Sequence, residues 1–173
     1  MSLMFSLVAL LRAVNVGGTG KLAMVDLKAM CQAAGFQAVR TYIASGNVVF
    51  RSACSNLEAK AALEARLRAY AGKPVGVVVR TAAEMTGVLA ANPFPDTPGN
   101  RVTAIFLDDI TSPGTLDGAI GRRADETLQL GQREIYVRYG SGIADSTLCI
   151  PAAAKGSARN MNIIAKLAAM SAG

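Results

Sequence analysis

The chain has no histidine and no tryptophan, and its three cysteines stand far apart at positions 31, 54 and 149. Without histidine no Ser–His or Cys–His couple can form, and the commonest metal ligand is missing. An odd cysteine count with no Cys-x-x-Cys spacing fits neither a disulfide framework nor a zinc site, so a reducing, cytoplasmic setting is expected. No Ser-x-x-Lys occurs either. The adjacent carboxylates Asp108-Asp109 and Asp125-Glu126 would point to opposite faces of a strand, which is unsuited to paired acid/base work. No metal and no cofactor are expected. The apolar run Met4–Leu11 has no basic segment before it and meets Arg12 too soon to span a membrane. The leading Met1-Ser2-Leu3, ahead of a second methionine, Met4, is set aside as an expression remnant.

Aromatic residues make up 5% of the chain, so the core is expected to be built from Ala, Val, Leu, Ile and Met. The hydrophobic fraction of 51% against 17% charged residues excludes disorder and supports a sizeable core in 173 residues, as one domain or two small ones. The net charge of +6 is uneven: residues 1–90 carry ten Lys/Arg against four Asp/Glu, while residues 91–173 carry eight of each. A positive half favours encounter with anionic partners, nucleic acid or phosphorylated small molecules. Solubility alone is the competing explanation of the charge.

The first half punctuates cleanly. Phe5–Leu11 is apolar throughout, as in a strand covered on both faces. Leu22–Ala34 has helical spacing and ends at Gly35. Gln37–Ile43 and Asn47–Arg51 form a hairpin across Ala44-Ser45-Gly46. Ser55 or Asn56 caps a helix over Leu57–Ala71, with Leu63, Leu67 and Tyr70 as its apolar stripe and Gly72 behind it. Pro74–Arg80 is a fourth strand. The order β-α-β-β-α-β predicts a split βαβ, ferredoxin-like plait over residues 4–80. Its open sheet face should pack on the second half or on another subunit. Thr81 caps a helix over Ala82–Ala91, and a proline-rich segment, 92–99, closes a connecting stretch, 81–100.

The second half repeats the theme weakly. Val102–Leu107 reads as a strand, Asp117–Arg122 as a short helix, Glu126–Leu130 and Glu134–Tyr139 as a hairpin, and Arg159–Met170 as a last helix facing inward through Ile163, Ile164, Leu167 and Met170. Ile143–Ile150 has no assignment. The fold class expected is α+β, two α/β-plait units in tandem, with a second, degenerate unit over residues 101–173.

Three segments hold candidate site residues. The first is the glycine cluster after the opening strand, Arg12-Ala13-Val14-Asn15-Val16-Gly17-Gly18-Thr19-Gly20-Lys21. Convergent backbone N–H groups in such a loop can cradle an anion. The phosphate-loop pattern fails, because Asn15 stands where its first glycine belongs and Leu22 replaces the magnesium-holding hydroxyl. The dinucleotide pattern fails at Ala23. A tight crossover that needs glycine for geometry alone is the simpler explanation. The second segment is the hairpin with Tyr42, Ser45 and Asn47. It matches the third strand of an RNA-recognition sheet at Gly46, Val48 and Phe50 but lacks the stacking aromatics, so base stacking is disfavoured. Turn chemistry accounts for its polar residues. The third is Lys155–Asn162, where Arg159 and Asn160 open the last helix. An anion site or simple capping by Ser157 or Asn160 would both fit.

These segments also carry a resemblance. Leu10-Leu11-Arg12-Ala13-Val14-Asn15-Val16-Gly17-Gly18, Thr41–Phe50, Ala91-Asn92-Pro93-Phe94 and Ala158-Arg159-Asn160-Met161-Asn162 resemble, in order and spacing, the signature segments of a bacterial family, domain of unknown function 1697. Ala13 replaces a usual glycine, Met161 a usual tryptophan, and the stretch before the last helix is short. The resemblance implies two α/β-plait units and supplies no mechanism. It marks Arg12, Asn15, Gly17, Gly18, Tyr42, Ser45, Gly46, Asn47, Arg159 and Asn160 as polar or small where packing alone would be apolar. Three functional readings stay open. One is a binding protein for a nucleotide or nucleic-acid backbone, using Lys21 and the glycine loop. Another is an enzyme on a phosphorylated or carboxylated small molecule, with Arg12, Lys21 or Arg159 orienting it and Tyr42 or Ser45 moving a proton. The last is an oligomeric scaffold.

Overall fold

The computed structural model describes residues 3–12, 22–43, 46–144 and 146–172. It is a mixed α/β structure with two four-stranded antiparallel sheets and, among the described residues, four α-helices. The chain divides into two compact units, Met1–Thr86 with Leu167–Gly173, and Gly87–Lys166. The division falls inside a helix, upstream of the proline-rich segment, and the end of the last helix groups with the first unit.

In the first unit, β1 (Phe5–Leu11), α1 (Met24–Ala33), β2 (Gln37–Tyr42), β3 (Asn47–Ser52), α2 (Asn56–Ala71) and β4 (Val77–Thr81) follow in that order. The sheet order is β2-β3-β1-β4. Leu7, Ala9 and Leu11 of β1 alternate onto one face and pack with Val48 and Phe50, Val77 and Val79, and with Leu27, Cys31, Ala59, Leu63 and Leu67 from the two helices. Two aromatics join this core: Phe36 and Phe50 stack with centroids 4.2 Å apart. Helix α2 starts where Ser55 Oγ accepts from the Glu58 amide and the Glu58 carboxylate accepts from the Ser55 amide. This reciprocal box satisfies two amides that the first turn leaves without helical partners. The helix ends at Gly72, whose φ of +73° closes it at no side-chain cost. Tyr70, expected in the apolar stripe, is half exposed and donates to Asp26 Oδ2; Ala59 takes the inward position instead.

The other face of this sheet carries Val8, Leu10, Val49 and Val78, all buried. The carboxyl-terminal residues of the chain lie against its margin: Ser6 Oγ donates to the Ser171 carbonyl at 2.7 Å and Arg40 donates to the Met170 carbonyl.

The second unit takes in the end of α3 (Ala82–Ala90), then β5 (Val102–Phe106), β6 (Glu126–Leu130), β7 (Glu134–Tyr139), β8 (Ser157–Asn160) and the first half of α4 (Met161–Ala172). Its sheet order is β6-β7-β5-β8. Ile105, Ile135, Val137, Tyr139 and Ile150 form the core on one face. On the other, Tyr136 is fully buried and donates to the Val88 carbonyl at 2.9 Å. Two expectations are corrected. Residues 117–122 are not helical: a 3₁₀ turn over Pro113–Leu116 precedes them, Gly118 and Gly121 have φ of +78° and +76°, and Ile120 bridges to Cys149. Positive φ at two positions breaks a right-handed helix. The last helix begins at Met161 rather than Arg159, because residues 157–160 pair with β5 as an edge strand. Of its four expected inward residues, Ile164 and Leu167 are buried, while Ile163 and Met170 are only partly so.

Candidate functional site

Three predicted site residues converge at one end of the first sheet. There β1 ends, the β2–β3 hairpin turns and β4 begins. The Leu11 amide donates to the Gly46 carbonyl and the Arg12 amide to the Gly76 carbonyl, each at 2.9 Å. The ladder thereby carries on just beyond β1 and holds Arg12 at the end of a central strand. Its guanidinium lies over Gly76, where an added Cβ would come within 3.2 Å of Nε. The absent side chain is what admits the arginine. Asn47 pairs with both Leu10 and Tyr42 and is fully buried; its Nδ2 donates to the Tyr42 carbonyl at 2.9 Å. That bond ties off the hairpin beside Ile43, whose φ is +51°, and Gly46, whose φ is +88°. Asn47 therefore has a structural task here, as turn chemistry anticipates, and Tyr42 stands beside it, half-buried. Asn15, Gly17, Gly18, Lys21 and Ser45 lie outside the described residues.

Arg159 and Asn160 belong to the second unit. Arg159 is buried in β8, donates to its neighbour Ala158's carbonyl at 2.8 Å, and burial lowers its guanidinium to about 10. Asn160 Oδ1 accepts from the Ile163 amide at 2.9 Å, the bond expected of an N-cap residue. Capping thus occupies the start of α4, and the reading of Arg159 as the opening residue of a helix is corrected: it is a strand residue.

Sequence reasoning missed a further set of arginines. Alternation along the strands puts Ser6, Val8, Arg40, Val49, Arg51 and Arg80 on the sheet face opposite α1 and α2, since Ser6 faces Arg51, Arg40 faces Val49 and Val8 faces both Val49 and Arg80. Arg80 is the largest fully buried side chain of the molecule's described residues. The sequence signal for it is an arginine closing a run of valines, Val77-Val78-Val79-Arg80.

The carboxylates of the first unit are engaged elsewhere. Asp26 accepts from Tyr70, Glu58 closes the α2 cap, and Glu64 pairs with Lys60 at 2.8 Å. Glu84 accepts from the Thr81 amide at 2.8 Å and from Asn56 at 3.1 Å. Burial would raise Glu84, but these bonds and the charge of Arg80 bring it below the usual carboxylate range. In the second unit the Asp125-Glu126 pair is structural. Buried Glu126 accepts from the Arg123 amide at 2.7 Å and from Ser146, and meets the Arg123 guanidinium at 3.3 Å. Its pKa, raised by burial, is lowered on balance by those bonds. Burial pushes the Cys31 thiol up to about 12, which removes it as a nucleophile. Among the described residues no group of His, Cys, Asp and Glu could hold a metal ion. No described helix is long and apolar enough to cross a membrane.

The family model described as "Protein of unknown function (DUF1697)" matches residues 4–136. No curated protein matches the chain. Among solved structures, a conserved bacterial protein from Streptococcus pneumoniae is similar in fold, with a TM-score of 0.80 at 22% identity, covering 98% of this chain and 99% of its own.

Proposed function

Since the chain belongs to the DUF1697 family of proteins of unknown function, we propose a function from its own residues: a cytosolic protein that binds a phosphate-bearing ligand, a nucleotide or a nucleic-acid backbone, at the β1 end of its first unit. The observation that supports this is the placement of Arg12. Its backbone is pinned to Gly76, just ahead of β4, at the end of the central strand, its guanidinium rests on Gly76, and the glycine-rich segment 13–21 with Lys21 follows directly in sequence. A guanidinium followed in sequence by a run of glycines suits phosphate oxygens, because guanidinium N–H groups and backbone amides both offer donors. Asn15, Gly17, Gly18, Tyr42 and Ser45 complete the proposed site.

Each unit is also read here as a ferredoxin-like plait, the second with its crossover helices replaced by short 3₁₀ turns. The strand orders support that reading.

Titration of fluorescently labelled RNA, DNA and nucleotide at low and moderate salt tests the function. Binding is expected to weaken steeply with salt. Arg12→Gln and Lys21→Gln should each cost tenfold or more. Absence of binding at low salt by the unaltered protein would overturn the proposal.

A further inference from the structure

A second basic site lies on the same sheet, along β2 and β3 rather than at the β1 end. Strand β2 carries a bulge: its register with β3 shifts between Gln37 and Arg40, and Ala38 has a φ of +49°. An alanine in the left-handed region is strained, because its Cβ crowds the following carbonyl oxygen. Bulges of this kind re-aim a side chain and leave the ladder locally open. Here pairing resumes at Arg40, opposite Val49, two residues before Arg51 in β3. Arg40 and Arg51 are thus diagonal neighbours on one face, with α-carbons about 7–8 Å apart by sheet geometry. Ser6, opposite Arg51, completes the row.

Between them runs a groove of about 320 Å³ lined by Ser6, Ala38, Arg40, Val49, Phe50 and Arg51. No carboxylate lines it. The four Asp/Glu of residues 1–86 are bound at caps, at Lys60 and at Tyr70, and none of them lines the groove. Arg40 donates to a neutral carbonyl, that of Met170, and the Arg51 guanidinium makes no hydrogen bond or ion pair among the described residues. Two like charges side by side on a sheet repel, and a bound anion removes that repulsion.

We infer that the Arg40–Arg51 groove is a binding site for the dianionic group of a small phosphate monoester. The guanidinium fork matches phosphate oxygens two at a time, and two forks match a dianion better than the single charge of a diester or a carboxylate. The volume lies at the lower end of ordinary small-molecule sites, which suits a ligand of sugar-phosphate size.

The test titrates the full chain with phenyl phosphate, and with dimethyl phosphate as the diester, by calorimetry at low salt and by amide chemical shifts. Phenyl phosphate is expected to bind at least tenfold more tightly than dimethyl phosphate and to shift the amides of residues 6, 40, 49 and 51. Arg40→Gln and Arg51→Gln should each weaken it at least tenfold, Arg51→Lys less. Lys28→Gln, which removes the same charge from exposed α1, should change it less than twofold. Circular dichroism verifies that each variant is folded; both arginines are exposed, so folding is expected. Absence of binding by the unaltered protein, undiminished affinity in the R40Q/R51Q double variant, or shifts centred away from β2 and β3 would each overturn the inference.

Discussion

The two units share a strand order but differ in what joins the strands. In each sheet the first strand in chain order lies between the third and the fourth. In the first unit the crossovers are helices of ten and sixteen residues, closed by Gly35 and by the Ser55 box and Gly72. In the second they are 3₁₀ turns over Pro113–Leu116 and Pro151–Lys155 with irregular chain around them. The sheet order therefore does not depend on helical crossovers. It follows from a tight hairpin, from apolar alternation and from a last strand that returns to the open edge of the first. A finer correspondence supports the comparison. Arg80 faces Val8 in one sheet and Arg159 faces Ala104 in the other, both buried, and each is followed by a residue that caps a helix, Thr81 or Asn160.

Substitutions at matching places can break or sharpen this comparison. The largest effect is expected at Phe50, which loses its stack on Phe36. Phe50→Ala should destabilise by about 4 kcal/mol in denaturant unfolding. A loss below about 1 kcal/mol would mean that the helices, rather than the sheet face, hold the first unit. Next come two glycines of similar φ but different surroundings. At Gly121 an added Cβ would meet the Thr147 carbonyl oxygen at 2.1 Å, whereas at Gly72 it would meet nothing within 4 Å. Gly121→Ala should cost about 3 kcal/mol and Gly72→Ala about 1 kcal/mol. Equal melting temperatures for the two variants would show that backbone strain, not crowding, governs the helix-free crossover.

The smallest effect concerns Glu126, the buried acid of the second unit. Its folded pKa lies below the unfolded value, so it contributes stability above the ordinary carboxylate range and loses it as pH falls through the lowered folded value. Glu126→Gln should therefore cost about 1 kcal/mol at neutral pH. The gap to the unaltered protein should narrow in acid. A gap that stays constant down to pH 2 would disprove the linkage.

Much of this layout was legible beforehand. The bounds of β1, β6 and β7 coincide with those expected from apolar runs and alternation, because glycine or arginine stops each run sharply. The Ser55 cap and the Thr81 cap were legible for the same local reason: a side-chain oxygen three residues ahead of a glutamate is a self-contained signal. Strand β8 was not. It is four residues long, polar at all but Ala158, and becomes a strand only by pairing with β5, about fifty residues earlier in sequence. Residues 117–122 misled in the opposite sense, since two glycines with positive φ outweigh a weak helical spacing.

At the candidate sites the split is similar. The sequence alone marked Arg12, Tyr42 and Asn47 as polar punctuation around strands, and local chain geometry places all three at one end of a sheet. It determined the charge imbalance as well. Only the tertiary structure decided that the carboxylates of the first unit are engaged away from Arg40 and Arg51, that a bulge at Ala38 brings those two arginines to one groove, and that Arg80 and Arg159 are buried. Caps, turns and alternation involve neighbours within a few residues, so a sequence displays them. Strand partners and burial involve residues that meet only when the sheet closes, and no local pattern encodes which side chains will then face each other.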